Sequence, residues 1–300
     1  MKWQKGELSI LIPAYNTVCV NMVDVLQQQA EALGIDYEII VVDDASPLKD
    51  TVRQNRVISD RPHCTFIAKE QNSGSAATRN FLTAQSHYRW LLFLDCDMHI
   101  PDSHFLERYV SCEYDGVING GISIGGNPDE LKHCLRYRYE KREEPSHTAE
   151  QRQLRSYQSF RSTNFLAARD AMIRCPFDER FKRSGYEDVL LGKSFKQQGV
   201  TLTHIDNPLV MTDYESNVDY VVKIERSLQT LHSFRQELRG YSRLLTLADG
   251  IHLAIVRSTI GLAFHLCRPL MRRNLCSRHP SLTVFDLYRI GYFLTLNDKR

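Results

Sequence analysis

The chain has 300 residues, 42% hydrophobic and 25% charged, which predicts one large folded domain, alone or with an appendage. Its eight cysteines include no CxxC pair, which excludes a zinc pattern and predicts reduced thiols in a cytoplasmic protein. The net charge of +2 is uneven: residues 235–300 carry 11 Lys+Arg and 4 Asp+Glu, whereas residues 1–234 are net acidic, and we expect no nucleic-acid partner.

The first hundred residues alternate between strand and helix patterns. Apolar runs and helical spacings predict, in chain order, a strand over 8–12 ended by Pro13, a helix over 22–33 capped by Gly34, a strand over 37–42, a helix from about 48, a strand over 65–68, a helix over 75–84 and a strand over 90–94. Strands that alternate with helices predict a mostly parallel sheet with right-handed crossovers.

The remaining chain divides into a mixed part and a helical part. Residues 116–126 are rich in glycine and predict a strand and a turn, and the charged segment 136–160 predicts a mobile loop or a surface helix. Strand and helix patterns return until about residue 216, and only helical spacing follows. We therefore expect a catalytic α/β domain over 1–216 and a helical extension over 217–300, without a signal peptide or a membrane-spanning segment.

Two carboxylates follow the strand over 90–94, at Asp95 and Asp97. Residues two apart on a strand point to the same face, and an α/β sheet binds ligands at this end of its strands. Hard oxygen ligands suit Mg²⁺ or Mn²⁺, which bridge to a diphosphate. The alternative is a solvated turn at the end of the strand.

Three other predicted strands end in residues that suit a nucleotide. Pro13 and Tyr15 follow the first strand without a Gly-x-Gly-x-x-Gly motif, which disfavours a dinucleotide-binding oxidoreductase. Asp43-Asp44 follows the second strand, where a carboxylate can accept a hydrogen bond from a pyrimidine or simply cap the next helix. Arg79 lies one turn into the helix after the third strand, and its guanidinium suits a diphosphate or a base edge, although a surface arginine is the plainer interpretation.

A second acidic pair, Glu187-Asp188, opens an amphipathic helix. Acids in the first helical turn are favoured by the helix dipole, so capping alone explains the pair. The functional interpretation is a general base that deprotonates an incoming hydroxyl while the bond to a departing phosphate breaks.

In this order and spacing, the motifs over residues 7–215 resemble those of inverting family-two glycosyltransferases with the GT-A fold, especially bacterial enzymes of surface-glycan synthesis. Further matching motifs are Gly120-Gly121, Ser162-Thr163-Asn164-Phe165 and the run from His204 to Pro208. The resemblance implies a nucleotide-diphospho-sugar transferase fold, with a mostly parallel central sheet flanked by helices. It also implies a nucleotide-sugar donor, most simply UDP-linked, and a glycan or lipid-linked acceptor.

The resemblance also implies roles for individual residues. Asp43 or Asp44 would bind the base in a pocket lined by Pro13 and Tyr15, and Arg79 would meet the base or the diphosphate. Asp95 would hold the ribose, and Asp97 would hold Mn²⁺ or Mg²⁺. Asp188 would be the catalytic base, Glu187 would shape the acceptor site, and Asn164 and Gly121 would lie near the donor sugar or the acceptor.

The chain departs from the family pattern at one position. Met211 stands where such proteins often carry a metal-binding histidine, and a thioether is a poor ligand for a hard cation. The metal site is then looser, or Asp213 substitutes for the histidine. A non-catalytic protein that binds nucleotide sugars or glycans through a degenerate metal site is the alternative function.

The tail from about residue 240 combines apolar residues with arginines. This mixture predicts interfacial helices on the inner face of the cytoplasmic membrane, because arginines are attracted to anionic lipids. The alternative is a helical cap packed on the catalytic domain.

Overall fold

The computed structural model describes residues 6–113, 115–182, 185–251 and 253–296. The chain groups into two compact units. The first comprises Met1–Gly125 and Pro145–Thr212, and the second comprises Gly126–Glu144 and Asp213–Arg300. The segment Gly126–Glu144, which the sequence pattern assigned to the α/β domain, thus groups with the second unit. That the catalytic domain ends near residue 216 stays a prediction.

Nine strands, all in the first unit, are found in the described residues. They are β1 (Glu7–Ala14), β2 (Asp36–Asp43), β3 (Cys64–Ala68), β4 (Trp90–Leu94), β5 (Val117–Asn119), β6 (Ile122–Ile124), β7 (Asn164–Ala168), β8 (Leu202–His204) and β9 (Leu209–Met211). Seven of them form one sheet in the order β3-β2-β1-β4-β7-β5-β8, and β6 pairs with β9. Only β7 runs antiparallel to its neighbours in the large sheet, so the predicted mostly parallel sheet is confirmed.

The helices of the first unit cover this sheet. They are α1 (Val20–Leu33), α2 (Lys49–Asn55), α3 (Ser75–Gln85), α4 (Phe105–Val110), α7 (Ala149–Gln153), α8 (Arg169–Arg174) and α9 (Glu187–Gln197), where α5 and α6 belong to the second unit. Helix α1 buries Met22, Leu26 and Ala30 at helical spacing, as the sequence predicts. It ends at Gly34, whose φ of 62° lets its N–H bond back to the last turn.

The strands β1, β2 and β4 are almost continuously apolar because helices cover both faces of the sheet. The sequence predicts that β1 ends at Pro13, but the structure differs. The strand continues to Ala14, whose carbonyl accepts a hydrogen bond from the N–H of Asp44 at 2.9 Å. The parallel pairing therefore brings the loops after β1 and β2 to the same edge of the sheet.

The second unit is helical. Its helices are α5 (Pro128–Leu131), α6 (Leu135–Glu143), α10 (Asn217–Ser233), α11 (Arg243–Asp249), α12 (Ala254–Leu275) and α13 (Leu282–Thr295). Glu225 of α10 accepts hydrogen bonds from Arg268 and Arg272 of α12 and from the hydroxyl of Tyr288 of α13, which ties these three helices together. In the described part of the chain, no helix is both long enough and apolar enough to cross a bilayer.

Candidate active site

A cavity of about 500 Å³ in the first unit is lined by the loops at the carboxyl ends of β1, β2, β3 and β4 and by the start of α9. The predicted site residues in its lining are Pro13, Tyr15, Asp44, Arg79, Asp95, Asp97, Glu187 and Asp188. Parallel strands bring these residues together, because their carboxyl ends share one edge of the sheet. The other three predicted site residues, Asp43, Gly121 and Asn164, lie outside this lining.

Asp44 holds the loop after β3. Its carboxylate accepts hydrogen bonds from Nζ of Lys69 at 2.9 Å, from the N–H and hydroxyl of Ser73 at 3.0 Å and from the N–H of Gly74 at 2.8 Å. Burial alone would raise the pKa of Asp44, but the bonds from Lys69, Ser73 and Gly74 outweigh it and hold the pKa below its usual range. Asp44 is therefore an anion fixed at the cavity wall.

Asp43 has a different position and set of partners. Its carboxylate accepts hydrogen bonds from the N–H and hydroxyl of Ser46, and the Ser46 hydroxyl in turn accepts one from the N–H of Asn16 at 2.7 Å. This chain of bonds joins the loops after β1 and β2. Asp43 itself lines a separate concavity beside α2, so of the two acids only Asp44 faces the main cavity.

Arg79 and Asp95 form an ion pair at 2.5 Å between Nη2 and Oδ1. The Arg79 side chain is almost fully buried, its guanidinium lies 5.5 Å from the centre of the Phe177 ring, and its Nε has no hydrogen-bond partner. The guanidinium belongs to the cavity lining, and its fork of N–H donors suits a ligand with acceptor oxygens.

The sequence pattern predicts that Asp95 and Asp97 share one face at the end of a strand. In the structure neither residue lies on a strand. Strand β4 ends at Leu94, where the N–H of Asp95 turns to the carbonyl of Thr163 at 2.9 Å. Asp95 directly follows the strand and Asp97 lies in the turn after it, yet both line the cavity, Asp95 half-buried and Asp97 exposed. Their convergence depends on this turn and not on strand alternation.

The start of α9 places two acids side by side. Glu187 is buried, and its carboxylate accepts hydrogen bonds from the Ser75 hydroxyl at 2.9 Å and from the N–H of Gly185 at 2.5 Å. Tyr186 adopts a left-handed φ of 70° immediately before the helix, a conformation that costs energy for a residue with a side chain. These contacts turn the chain so that both Glu187 and Asp188 line the cavity.

Asp188 is half-buried, and the N–H of Val189 donates a hydrogen bond to its Oδ1 at 2.8 Å. Burial, followed by the negative charge of Glu187, raises the pKa of Asp188 from 3.8 to about 7. A carboxyl group with this pKa exchanges a proton readily near neutral pH.

The donors in the cavity fit a divalent cation only in part. The described residues contain no group of three His, Cys, Asp or Glu side chains that could hold a metal ion. Asp95 already pairs with Arg79, and Met211 is buried in β9. Asp97 supplies a hard oxygen ligand in the cavity, which suits a cation that takes most of its other ligands from substrate oxygens and water. Asp213, the predicted substitute, is exposed and belongs to the second unit.

Asn164 and Gly121 belong to a buried network instead. The Asn164 side chain accepts a hydrogen bond from the Tyr109 hydroxyl at 2.7 Å and donates to the carbonyls of Gly121 at 2.9 Å and Asn207 at 2.8 Å. Gly121 has a left-handed φ of 82°, and a Cβ atom there would lie 2.6 Å from the guanidinium of Arg152. Both residues therefore have a structural explanation.

Sequence reasoning missed several residues of the cavity wall. Ser75, which bonds to Glu187, and the cationic Lys182 belong to the lining. Lys69 and Ser73 lie behind it and hold the carboxylate of Asp44 in place. The signal for Ser73 and Ser75 was their position around Gly74, where φ is 89° and a Cβ atom would lie 2.9 Å from the Lys182 carbonyl. No sequence pattern indicated Lys182.

The comparisons with known proteins agree with this fold. The sequence model of the family described as "Glycosyl transferase family 2" matches residues 9–177. An "Uncharacterized glycosyltransferase" of Haemophilus influenzae is 34% identical over 138 residues, which cover 41% of this chain and 44% of that protein. The chain therefore matches less than half the length of that relative.

Three solved structures illustrate the similarity in fold. TarS 1-349 of S. aureus in complex with UDP-GlcNAc is 15% identical with a TM-score of 0.51, covering 94% of this chain and 89% of that chain. The mannosyltransferase PcManGT of Pyrobaculum calidifontis in complex with GDP-Man and Mn²⁺ is 11% identical with a TM-score of 0.51, covering 98% and 88%. Glucosyl-3-phosphoglycerate synthase of Mycobacterium tuberculosis in complex with Mg²⁺ and UDP is 17% identical with a TM-score of 0.50, covering 77% and 79%.

The buried network predicts that Asn164→Leu lowers the free energy of unfolding by about 3–5 kcal/mol, because it removes the bonds to the Tyr109 hydroxyl and the Asn207 carbonyl and one of two bonds to the Gly121 carbonyl. Tyr109→Phe removes one of these hydrogen bonds and should cost about 1–2 kcal/mol. Urea unfolding of both variants measures the difference. An Asn164→Leu variant that unfolds like the wild type would contradict the structural assignment and return Asn164 to the list of ligand-binding candidates.

Proposed function

The chain belongs to glycosyl transferase family 2, and on this premise we propose that it transfers a sugar from a UDP-linked donor to a glycan or lipid-linked acceptor with inversion, in the synthesis of a surface polysaccharide. The observation that carries the proposal is the single cavity that brings Asp44, Arg79, Asp95 and Asp188 together. Nucleotide, diphosphate and proton-transfer chemistry need these groups within one substrate length.

The base would bind between Tyr15 and Asp44. The Tyr15 ring is 49% exposed in the cavity lining, so one face of it is available for stacking. Oδ2 of Asp44 accepts hydrogen bonds from the N–H of Gly74 at 2.8 Å and from the N–H of Ser73 at 3.2 Å. The N–H of a uracil ring would replace the longer of the two, because the Ser73 N–H keeps its bond to Oδ1 at 3.0 Å. A fixed carboxylate selects a base that offers a donor, which supports UDP as the carrier. TarS, whose fold is similar, was crystallised with UDP-GlcNAc.

The ribose and diphosphate would lie toward Asp95 and Arg79. Asp95 has one carboxylate oxygen engaged by Arg79, so its other oxygen can accept a bond from a ribose hydroxyl. Among the described residues of the lining, Arg79 and Lys182 carry cationic side chains, and both suit the charge of a diphosphate.

Asp188 would act as the general base. Its carboxylate takes the proton of the acceptor hydroxyl while that oxygen attacks the anomeric carbon and the bond from this carbon to the diphosphate oxygen breaks. Attack on the face opposite the leaving group inverts the configuration. Glu187, held by Ser75 and Gly185, keeps the start of α9 in place and raises the pKa of Asp188 toward neutral, where a base transfers protons most effectively.

A divalent cation fits the proposal through Asp97. Mn²⁺ or Mg²⁺ would neutralise negative charge on the leaving diphosphate. Asp97 would be the protein ligand, and the buried thioether of Met211 would contribute none. PcManGT and glucosyl-3-phosphoglycerate synthase, whose folds are similar, were crystallised with Mn²⁺ and Mg²⁺ respectively.

A lipid-linked acceptor would place the enzyme on the cytoplasmic side of the membrane. Surface polysaccharides are assembled from polar sugars that a bilayer does not admit, so a hydrophobic carrier keeps the growing chain at the membrane surface. The basic composition of residues 235–300 supports this location.

The proposal predicts that Asp188→Asn lowers the rate of sugar transfer by a factor of about 10²–10⁴, because the variant has lost its base. Its affinity for UDP should stay within a few fold of the wild type, since the base pocket is unchanged. The measurements are UDP release from a panel of UDP-sugars and calorimetric titration of UDP. Asp170→Asn, which removes an exposed carboxylate on α8, is the matched control and should behave as the wild type. Wild-type turnover in Asp188→Asn would contradict the assignment, and UDP binding without turnover in the wild type would favour a non-catalytic binding protein.

The metal assignment predicts that Asp97→Ala abolishes transfer and weakens Mn²⁺ binding measured by electron paramagnetic resonance in the presence of UDP. Without UDP, the wild type should bind Mn²⁺ weakly, because one carboxylate supplies few of the ligands that the ion needs. Met211→Leu conserves side-chain volume and should change neither property, so it controls for effects of packing. Full transfer in excess EDTA, or in Asp97→Ala, would show that no metal is needed.

A further inference from the structure

Helix α12 carries a row of exposed leucines. Leu262, Leu266 and Leu270 are 62%, 70% and 70% exposed, and they are four residues apart, so they lie along one face of the helix. Single exposed leucines are common on protein surfaces, but a continuous apolar stripe indicates an interaction site. We call these three residues the leucine row.

The opposite face of α12 fixes the orientation of the row. Phe264 and Leu275 are buried on that face, and Phe264 packs closely against Gly291 of α13. Arg268 and Arg272 turn the same way and bond to Glu225 of α10 at 3.2 Å and 2.9 Å. The leucine row therefore points away from the helices of its own unit because the inner face is already engaged.

The surroundings of the leucine row are basic. The 22 residues of α12 include four arginines and one histidine but no acidic residue. Arg273 is exposed and lies three residues after Leu270, on the same face, and the exposed Arg278 follows the end of the helix. An apolar stripe with positive charge at its end matches the charge of an anionic lipid surface.

We propose that the leucine row docks α12 on an anionic bilayer, with the helix axis parallel to the membrane plane and the leucines in the acyl region. A helix of 22 residues is about 33 Å long, which allows all three leucines to reach the interface together. The inference deepens the proposed function, on which it rests for a lipid-linked acceptor, by naming the surface of the chain that would bind the acceptor's bilayer. Docking itself needs only the residues of α12.

A second copy of this chain is the other occupant with a suitable apolar surface. Two copies of the leucine row facing each other would bring basic side chains together, and α12 has no acidic side chain to pair with them. Charge complementarity therefore favours a lipid surface over self-association.

Vesicle flotation with the full chain tests the proposal. The wild type should float with vesicles of phosphatidylcholine containing 30% phosphatidylglycerol (about the anionic fraction needed for such attraction) and less with phosphatidylcholine alone. Leu266→Gln/Leu270→Gln should lower the partition coefficient at least about tenfold. The matched control is Leu154→Gln/Ile173→Gln, which removes two side chains that are 74% and 62% exposed in the first unit and should float as the wild type. Equal flotation of the two double variants, or no flotation of the wild type, would overturn the proposal.

A charge variant separates the electrostatic part. Arg273→Gln should lower binding to the anionic vesicles about fivefold and leave binding to neutral vesicles unchanged, whereas Arg155→Gln, in the first unit, should change neither.

Size-exclusion chromatography completes the test: a wild-type dimer that Leu266→Gln/Leu270→Gln converts to a monomer would overturn the lipid assignment. UDP release in solution is measured on the same proteins. Release without flotation contradicts only this inference, whereas flotation without release contradicts only the proposed reaction.

Discussion

The carboxylate of Asp44 is the contact on which the cavity most depends. It receives the Lys69 ammonium and two successive N–H groups, from Ser73 and Gly74, and so fastens the segment between β3 and α3 to the end of β2. Gly74 must be a glycine here, because its φ is 89° and a Cβ atom would lie 2.9 Å from the Lys182 carbonyl oxygen. The segment it fixes leads directly into α3, which carries Ser75 and Arg79 into the cavity. One anion thus positions the partners of both Glu187 and Asp95.

The cavity distributes charge so that its carboxylates differ in proton affinity. Asp44 is surrounded by donors and keeps its charge, whereas Asp188 has a single backbone donor and an anionic neighbour. A raised pKa means that the folded state binds the proton more tightly than the unfolded state. The stability associated with Asp188 is therefore fully present below its ordinary pKa of 3.8 and is lost as pH rises to about 7. The folded state therefore loses this stability at neutral pH, at the residue where the proposed proton transfer would take place.

The sequence predicts the sheet and the convergence of the site because both follow from local patterns. Apolar runs mark β1, β2 and β4, and the rule that parallel strands share a ligand-binding edge brings Tyr15, Asp44, Arg79 and Asp97 together. The same patterns leave Asp43 and Asp44 equivalent, because the choice depends on which carboxylate meets Ser46 and which meets the loop after β3.

Contacts between distant segments explain the rest of the differences. Asn164 has the same sequence signature as a ligand-binding asparagine, yet its partners lie 43 and 55 residues away and are buried with it. Pro13 reads as a strand end, but pairing with β2 carries β1 past it. The segment Gly126–Glu144 groups with the C-terminal helices through side chains such as Arg136, which pairs with Glu215, and no local periodicity records that contact.

In the proposed mechanism, Asp188 takes the proton of the acceptor hydroxyl. The pH dependence of kcat/KM for sugar transfer tests it most directly, because this ratio reports the ionisation of the free enzyme's essential base. The account predicts that the ratio rises with pH to a plateau through a midpoint near 7, the pKa of Asp188, and that Asp188→Asn removes this limb together with most of the activity. A midpoint near 4, or the same limb in the residual activity of Asp188→Asn, would contradict it.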